Sequence, residues 1–129
     1  MVIDTSAIVA ILLNEPDANR YVHALKDANE PLMSAVTRVE LSFVIEGRKG
    51  EIGRIELEAF LDELQPQIIP VSAHHADIAI NAFRRYGKGR HRAALNIGDC
   101  FSYALASATG LPLLFKGADF AATDIVAAA

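Results

Sequence analysis

The sequence has 129 residues, a formal net charge of −4 and a hydrophobic fraction of 52%. This length suits one domain with a sizeable core and is too short for two, so we expect a single domain over residues 1–129. The negative charge argues against general coating of nucleic acid, although a local basic surface remains compatible with it. The high apolar fraction predicts that a partner or a second copy covers part of the surface.

The sequence carries no sign of a membrane segment or of disulfide chemistry. Its longest apolar run, residues 7–13, is far shorter than the ~20 residues that a membrane span needs. Asp4 occupies the region that is basic in a signal peptide. The single cysteine, Cys100, excludes an internal disulfide and is expected to be a small core residue. We therefore expect a cytoplasmic protein without membrane contact.

Short apolar runs alternate with longer amphipathic segments along the chain. The runs predict strands at residues 2–4, 32–34, 68–71, 112–115 and 125–126. The segments between them predict helices at residues 6–13, 17–28, 36–47, 54–64, 74–86 and 98–109. In the helix at 74–86 the spacing predicts an inward face of Ala76, Ile80 and Phe83. This alternation indicates an α/β fold with right-handed crossovers and a mostly parallel sheet covered on both faces by helices.

Two acidic residues lie among apolar neighbours. Asp4 ends the first predicted strand, at the edge of a parallel sheet where binding sites form. Its alternative role is that of a helix N-cap. Glu40 is expected away from the solvated face of its helix, and its alternative role is a buried acid paired with one arginine. Its helical neighbours are Val36, Phe43 and Val44.

Three further acids occur late in the chain. Asp99 opens an alanine-rich helix, where a first-turn acid also complements the helix dipole. Asp119 and Asp124 follow the strand at 112–115, and both also fit as simple loop acids. Acids that converge at one edge of a sheet repel one another unless a cation lies between them. Mg²⁺ or Mn²⁺ suits carboxylate oxygens, leaves positions open for phosphate and activates water.

Four segments in order, MVIDTSA, SAVTRVELS, LNIGDCFSYALA and LLFKGADFAATDI, resemble the PIN-domain ribonucleases, and specifically the VapC toxins of type II toxin–antitoxin modules. The resemblance covers essentially the whole chain. It implies a PIN-like three-layer sandwich with a central, mostly parallel sheet of about five strands. It also implies a Mg²⁺- or Mn²⁺-dependent endoribonuclease that hydrolyses RNA phosphodiester bonds with a metal-activated water. Homodimers, larger toxin–antitoxin assemblies and inhibition by a cognate VapB-like antitoxin are expected as well.

The resemblance assigns roles to individual residues. Asp4, Glu40 and Asp99 match the acids of the metal site, and Asp119 matches a further catalytic acid. Thr5 or Ser6 resembles the hydroxyl beside the first acid, which orients a ligand or a water.

The last motif departs from the family pattern. Many relatives carry an acid at the position of Gly117, two residues before Asp119. Whether one or two metal ions bind, and whether Asp119 or Asp124 completes the site, is therefore left open.

A basic segment precedes Asp99 in this otherwise acidic chain. We expect it to contact RNA phosphates, because cationic side chains dominate affinity for a polyanion. The alternative is a flexible, solvated loop, and Arg38 near Glu40 is either a substrate clamp or an ion-pair partner. The cations of the segment are Arg84, Arg85, Lys88, Arg90 and Arg92.

Three other functions are alternatives to a metal-dependent ribonuclease. A binding-only PIN-like protein would retain the acids without nuclease activity. A phospho-receiver domain needs an aspartate at the end of the third strand, where this chain has Val71 and Ser72. An aspartyl phosphatase needs a second aspartate two residues after Asp4, where Ser6 stands.

Overall fold

The computed structural model describes residues Met1–Ala129. Four short strands form one sheet in the order β3-β2-β1-β4, and every neighbouring pair is parallel. Since β1 lies inside the sheet, the residue that follows it lies between the ends of β2 and β4. The strands are β1 (Val2–Ile3), β2 (Leu32–Ser34), β3 (Gln67–Ile69) and β4 (Leu113–Leu114).

Helices cover both faces of the sheet. Val2 belongs to a buried cluster with residues of α4 and α5, whereas Ile3 belongs to a cluster with residues of α1, α2 and α3. Successive strand residues point to opposite faces, so each face has its own core and the predicted three-layer α/β sandwich is confirmed. None of the helices has both the length and the hydropathy to cross a membrane. The helices are α1 (Thr5–Leu12), α2 (Ala18–Lys26), α3 (Ala35–Leu64), α4 (Ala73–Tyr86) and α5 (Ile97–Thr109), with a 3-10 turn at Phe120–Ala122.

The sheet has four strands, so the prediction of a fifth at 125–126 is wrong. The chain meets β4 there through one parallel bridge, between Leu113 and Ala127. The Leu113 N–H donates to the Val126 carbonyl at 2.9 Å, and the Ala128 N–H donates to Leu113. One bridge adds too few hydrogen bonds to form a strand. The third strand ends at Ile69, because Pro70 has no N–H to donate.

The inward face predicted for α4 is wrong. Ile80 is 51% exposed and Phe83 is 39% exposed, whereas Ala79, Ala82 and Tyr86 are buried. The small alanines allow α4 to approach α5 closely, and this contact decides which face is buried. The two large side chains instead line an open surface cavity of about 510 Å³.

The two helices predicted at 36–47 and 54–64 form one helical segment, α3, that bends at Gly50. The backbone of Gly50 has φ 62° and ψ −145°, a conformation that glycine adopts without steric cost. This residue therefore joins two helical halves, whereas residues 48–49 and 51–53, which the prediction left between the two helices, are helical.

We expect Gly50→Ala to lower the free energy of unfolding by about 1–3 kcal/mol, because alanine is strained at this φ although its Cβ would meet no atom. The control is Gly47→Ala, in regular helix and also in open space, which should raise that free energy by about 0.5–1 kcal/mol. Urea denaturation measures both. Stabilisation by both substitutions would show that α3 runs straight through position 50.

Candidate active site

Asp4 lies at the carboxyl end of β1, and three donors hold it there. Its Oδ2 accepts hydrogen bonds from the Ser6 N–H at 3.0 Å and the Ser6 hydroxyl at 2.6 Å, and its Oδ1 accepts one from the Ser102 hydroxyl at 2.6 Å. The side chain is only 2% exposed. Asp4 is therefore the N-cap of α1, as the alternative interpretation proposed. The bond from α5 to its other oxygen lies outside that capping role.

Glu40, on α3, points its carboxylate at the helix that follows Asp4. Its Oε1 accepts a hydrogen bond of 2.5 Å from the Thr5 hydroxyl. Burial raises the pKa of Glu40, and the charge of Asp4 raises it further, against the opposing effect of the Thr5 bond. Arg38 donates to Ser42 and not to Glu40, so neither the paired-acid interpretation nor the ion-pair role of Arg38 is correct.

The prediction that the apolar helical neighbours of Glu40 are buried with it is partly wrong. Phe43, one of its apolar helical neighbours, is 74% exposed. The buried face of this half of α3 consists of Thr37, Leu41 and Ile45. Glu40 is partly buried because α1 and the start of α5 cover it.

Asp99 lies in the first turn of α5 and takes part in a reciprocal cap. The Asp99 N–H donates to the Asn96 side chain at 2.9 Å, and the Asn96 N–H donates to the Asp99 carboxylate at 3.0 Å. Burial raises the pKa of Asp99 from 3.8 to about 7, and the charges of Asp4, Glu40 and Asp119 add to this increase. The carboxylate is thus a cap and also a member of a repulsive group of acids.

Gly98 lets α5 begin directly against Glu40. A Cβ at position 98 would collide with the Glu40 carboxylate. Gly98 is helical and buried, and the absence of a side chain leaves room for the Glu40 carboxylate.

The four acids come from four separate parts of the chain and act on one another electrostatically. No three acidic, histidine or cysteine side chains surround a common point, and the Asp4 and Glu40 carboxylates accept hydrogen bonds from hydroxyl groups. The donors available are carboxylate and hydroxyl oxygens, which suit a hard divalent cation. A cation would offset both the burial of the Asp99 charge, which is the main cause of its raised pKa, and the repulsion from the other acids. The residues therefore fit such an ion.

Asp119 and Asp124 differ in their surroundings. Asp119 is exposed and adds to the charge felt by Asp99. Asp124 accepts a hydrogen bond of 2.7 Å from the Tyr103 hydroxyl and lies 3.8 Å from Arg85. The structure therefore brings Asp119, and not Asp124, to the group of acids.

The sequence interpretation missed Ser102, and it considered Lys116 only for the phospho-receiver alternative and not for the contacts that it makes beside Asp4. Ser102 was detectable as a hydroxyl one helical turn after Asp99 in an alanine-rich helix. Lys116 had no such signal. Its N–H donates to the Ser6 hydroxyl at 2.9 Å, and its ammonium group forms ion pairs with Glu15 and, at 2.9 Å, with Asp17.

The cationic side chains of the basic segment are exposed, and backbone hydrogen bonds join the start of the segment to the residues that follow it. The Lys88 N–H donates to the Leu95 carbonyl and the Leu95 N–H to the Tyr86 carbonyl, both at 3.0 Å. Arg85 lies 4.8 Å from the centre of the Tyr86 ring, and Arg90 lies 5.5 Å from that of Phe83. Arg85 is the only one of the five cations in a salt bridge. The other charges are free to meet a polyanion.

Comparison with known proteins identifies the family. A sequence model described as the PIN domain matches residues 1–126. The chain belongs to the PIN-domain family. Ribonuclease VapC30 of Mycobacterium tuberculosis is 53% identical to this PIN domain over 129 residues, which is 100% of this chain and 98% of the relative. Ribonuclease VapC of Mycolicibacterium smegmatis is 54% identical over 127 residues, 98% of each chain.

Solved structures share the fold of this PIN domain. VapC20 of Mycobacterium tuberculosis, described as a sarcin-ricin loop cleaving toxin, aligns with a TM-score of 0.78 at 17% identity over 97% of this chain and 95% of that one. FitAcB of Neisseria gonorrhoeae aligns with a TM-score of 0.72 at 23% identity over 98% and 94%. VapBC2 of Rickettsia felis, bound to a DNA fragment from its promoter, aligns with a TM-score of 0.72 at 16% identity over 98% and 95%. At these identities the likeness establishes the three-layer fold.

The raised pKa of Asp99 makes stability depend on pH when no cation is bound. Between pH 4 and 7 the folded state holds a proton that the unfolded state has lost, so the free energy of unfolding falls as pH rises. Asp99→Asn removes this charge and keeps an oxygen for the Asn96 N–H. We expect this variant to be more stable than the wild type at pH 8 by on the order of 2 kcal/mol, allowing for solvent screening, and no more stable at pH 4.

Urea denaturation in the presence of a chelator measures this difference. Asp77→Asn, an exposed position on α4, is the control and should change stability little at either pH. A wild type and an Asp99→Asn variant of equal stability at pH 8 would contradict the electrostatic account.

Proposed function

We propose that this PIN domain, as one domain over residues 1–129, is a divalent-metal-dependent endoribonuclease toxin that acts in the cytoplasm. Its similarity to VapC ribonucleases, at 53–54% identity along the whole chain, supports the endoribonuclease activity. One structural observation supports the site assignment: Asp4, Glu40 and Asp99 come from three separate parts of the chain, and their charges act on one another near the carboxyl edge of the sheet.

We assign Mg²⁺ or Mn²⁺ to Asp4, Glu40 and Asp99, with Asp119 at the exposed side. Such an ion neutralises the carboxylates and an RNA phosphate and makes a water molecule more acidic. Glu40 and Asp99 have raised pKa values, so they gain most from a nearby cation. The Ser6 and Thr5 hydroxyls hold the Asp4 and Glu40 carboxylates in fixed directions.

Attack by water on the phosphodiester explains the products that we expect. In-line displacement in which the water oxygen bonds to phosphorus and the P–O3′ bond breaks would leave a 5′-phosphate and a 3′-hydroxyl, without use of the RNA 2′-hydroxyl. The basic segment would hold the flanking phosphates through its exposed cations. Asp99 lies a few residues after this segment, so RNA bound there would reach the acids.

The partner is an antitoxin, as in the toxin–antitoxin complexes that share this fold.

A homodimer is our further proposal. Val39, Phe43 and Ile97 are 51%, 74% and 75% exposed, and an adjoining cavity of about 530 Å³ reaches Glu40. A chain that covers these residues would both bury apolar surface and lie beside the acids.

A PIN domain that binds RNA without cutting it is the second candidate. It is favoured by one observation: the Asp4 and Glu40 carboxylates accept hydrogen bonds from hydroxyl groups, and no three acids surround one point. The phospho-receiver alternative loses support at Ser72, near the position where that class needs an aspartate. Ser72 instead caps α4 by accepting a hydrogen bond from the His75 N–H. Family membership also disfavours the aspartyl phosphatase.

Single carboxylate-to-amide changes distinguish a nuclease from a binding protein. We expect Asp4→Asn and Asp99→Asn each to reduce RNA cleavage by on the order of 100-fold or more and to relieve growth inhibition, because each removes a charge that holds the cation. Asp119→Asn should have a smaller effect. Asp124→Asn is the control, since its amide oxygen still accepts from Tyr103. Full activity in Asp4→Asn or Asp99→Asn would refute the assignment.

The mechanism is tested by RNA modified at the cleaved nucleotide. An oligonucleotide with a 2′-O-methyl group there should still be cut, because water and not the 2′-hydroxyl is the nucleophile. Mass spectrometry should find a 5′-phosphate and a 3′-hydroxyl, and a chelator should stop cleavage. Complete loss of cutting on methylation would contradict a water nucleophile.

The basic segment is tested by neutralising two of its free cations. Lys88→Gln and Arg92→Gln should each weaken RNA binding and reduce the salt dependence of affinity by about one unit per charge. Lys26→Gln is the matched control, because Lys26 lines a cavity with Pro31 at the opposite edge of the sheet. Equal effects at all three positions would indicate a general charge effect and no defined RNA surface.

A further inference from the structure

A buried pair of hydroxyls, Thr37 and Ser102, lies behind the group of acids. Both side chains are 0% exposed, and their oxygens lie 3.1 Å apart. Ser102 also donates to Asp4 at 2.6 Å. These residues are 65 positions apart in the sequence, so only the packing of α3 against α5 brings them together.

Each of the two hydroxyl residues lies about one helical turn from an acid on the same helix. Thr37 lies three residues before Glu40 on α3, and Ser102 lies three residues after Asp99 on α5. Residues three apart share one face of a helix. The pair therefore connects all three elements that carry the assigned ligands: β1 through Asp4, α3 through Thr37 and α5 through Ser102.

The direction of the hydrogen bonds follows from counting protons. Ser102 donates its one hydroxyl proton to Asp4. Towards Thr37, Ser102 can then only accept, so Thr37 is the donor of that bond. The Thr37 proton thus points to the Ser102 oxygen and the Ser102 proton to the Asp4 carboxylate, and no buried side-chain polar atom lacks a partner.

Core packing alone does not explain this pair. An alanine and a valine would fill the same space without polar atoms, and a buried hydroxyl is costly unless it is bonded. The bond to Asp4 fixes the direction of one carboxylate oxygen, and the bond between the helices fixes the spacing of Glu40 and Asp99 relative to it. Partners that orient metal-ligating side chains commonly change metal affinity by 10- to 100-fold.

We propose that Thr37 and Ser102 are positioning residues that set the affinity of the acid site for its divalent cation. This inference rests on the proposed metal site and assigns to it two residues that touch neither RNA nor the cation. Thr37 acts through Ser102, and Ser102 acts through Asp4.

The experiment measures Mn²⁺ binding directly, by the electron paramagnetic resonance signal of free Mn²⁺ titrated with the full chain and no RNA. Ser102→Ala should raise the Mn²⁺ dissociation constant about 10-fold or more. Thr37→Val, which keeps the side-chain shape and removes the donor, should raise it by a smaller factor. The double variant should bind no more weakly than Ser102→Ala alone, because the two hydroxyls act in series.

Tyr103→Phe is the matched control. It removes one hydroxyl-to-carboxylate bond from the neighbouring position of the same helix, but that bond goes to Asp124 and not to the acid site. It should lower stability without changing Mn²⁺ affinity. Thr37→Val decides the question if Ser102→Ala does not fold.

Each outcome separates the two proposals. Unchanged Mn²⁺ affinity in a folded Ser102→Ala or Thr37→Val variant, with only a lower unfolding midpoint, would overturn the positioning role and leave the metal site standing. Absence of Mn²⁺ binding by the wild type would overturn both. Equal loss of affinity in Tyr103→Phe would show that loosening of α5, and not the hydroxyl pair, controls binding.

Discussion

Repulsion among carboxylates at the carboxyl edge of the sheet is the constraint on which the rest of the structure depends. Asp4, Glu40 and Asp99 are each partly or fully buried, and their negative charges act on one another. The fold offsets part of this cost because each acid accepts hydrogen bonds: Asp4 from Ser6 and Ser102, Glu40 from Thr5, and Asp99 from Asn96. Burial, with added repulsion from the other acids, still raises the pKa of Asp99 to about 7, and such an environment suits a cation.

The architecture brings the acids together through the shared polarity of its strands and helices. β1 lies inside the sheet and delivers Asp4 to the edge where α3 begins after β2. α5 starts at the same edge and reaches Glu40 because Gly98 has no side chain. The small residues of α5 let it lie against both α4 and the sheet. Close packing of helices therefore serves the site directly.

Helix capping and the proposed metal binding involve the same side chains. Asp4 is the N-cap of α1, and Asp99 belongs to a reciprocal cap of α5. Helix N-termini offer unpaired N–H groups that stabilise negative charge, so they are favourable places to hold an acid that must stay ionised. A local structural role and a role in the site are thus compatible, and evidence for a cap is no evidence against function.

The sequence by itself determined the alternation of strands and helices and named Asp4, Glu40, Asp99 and Asp119 as candidate acids, because these depend on local propensity and on short motifs. Only the tertiary structure decided the rest. The face that α4 buries, the separation of Asp119 from Asp124 and the bond from Ser102 to Asp4 depend on contacts between distant segments, in the last case 98 residues apart. Such contacts follow from how whole helices pack, and no local pattern of residue types encodes that packing.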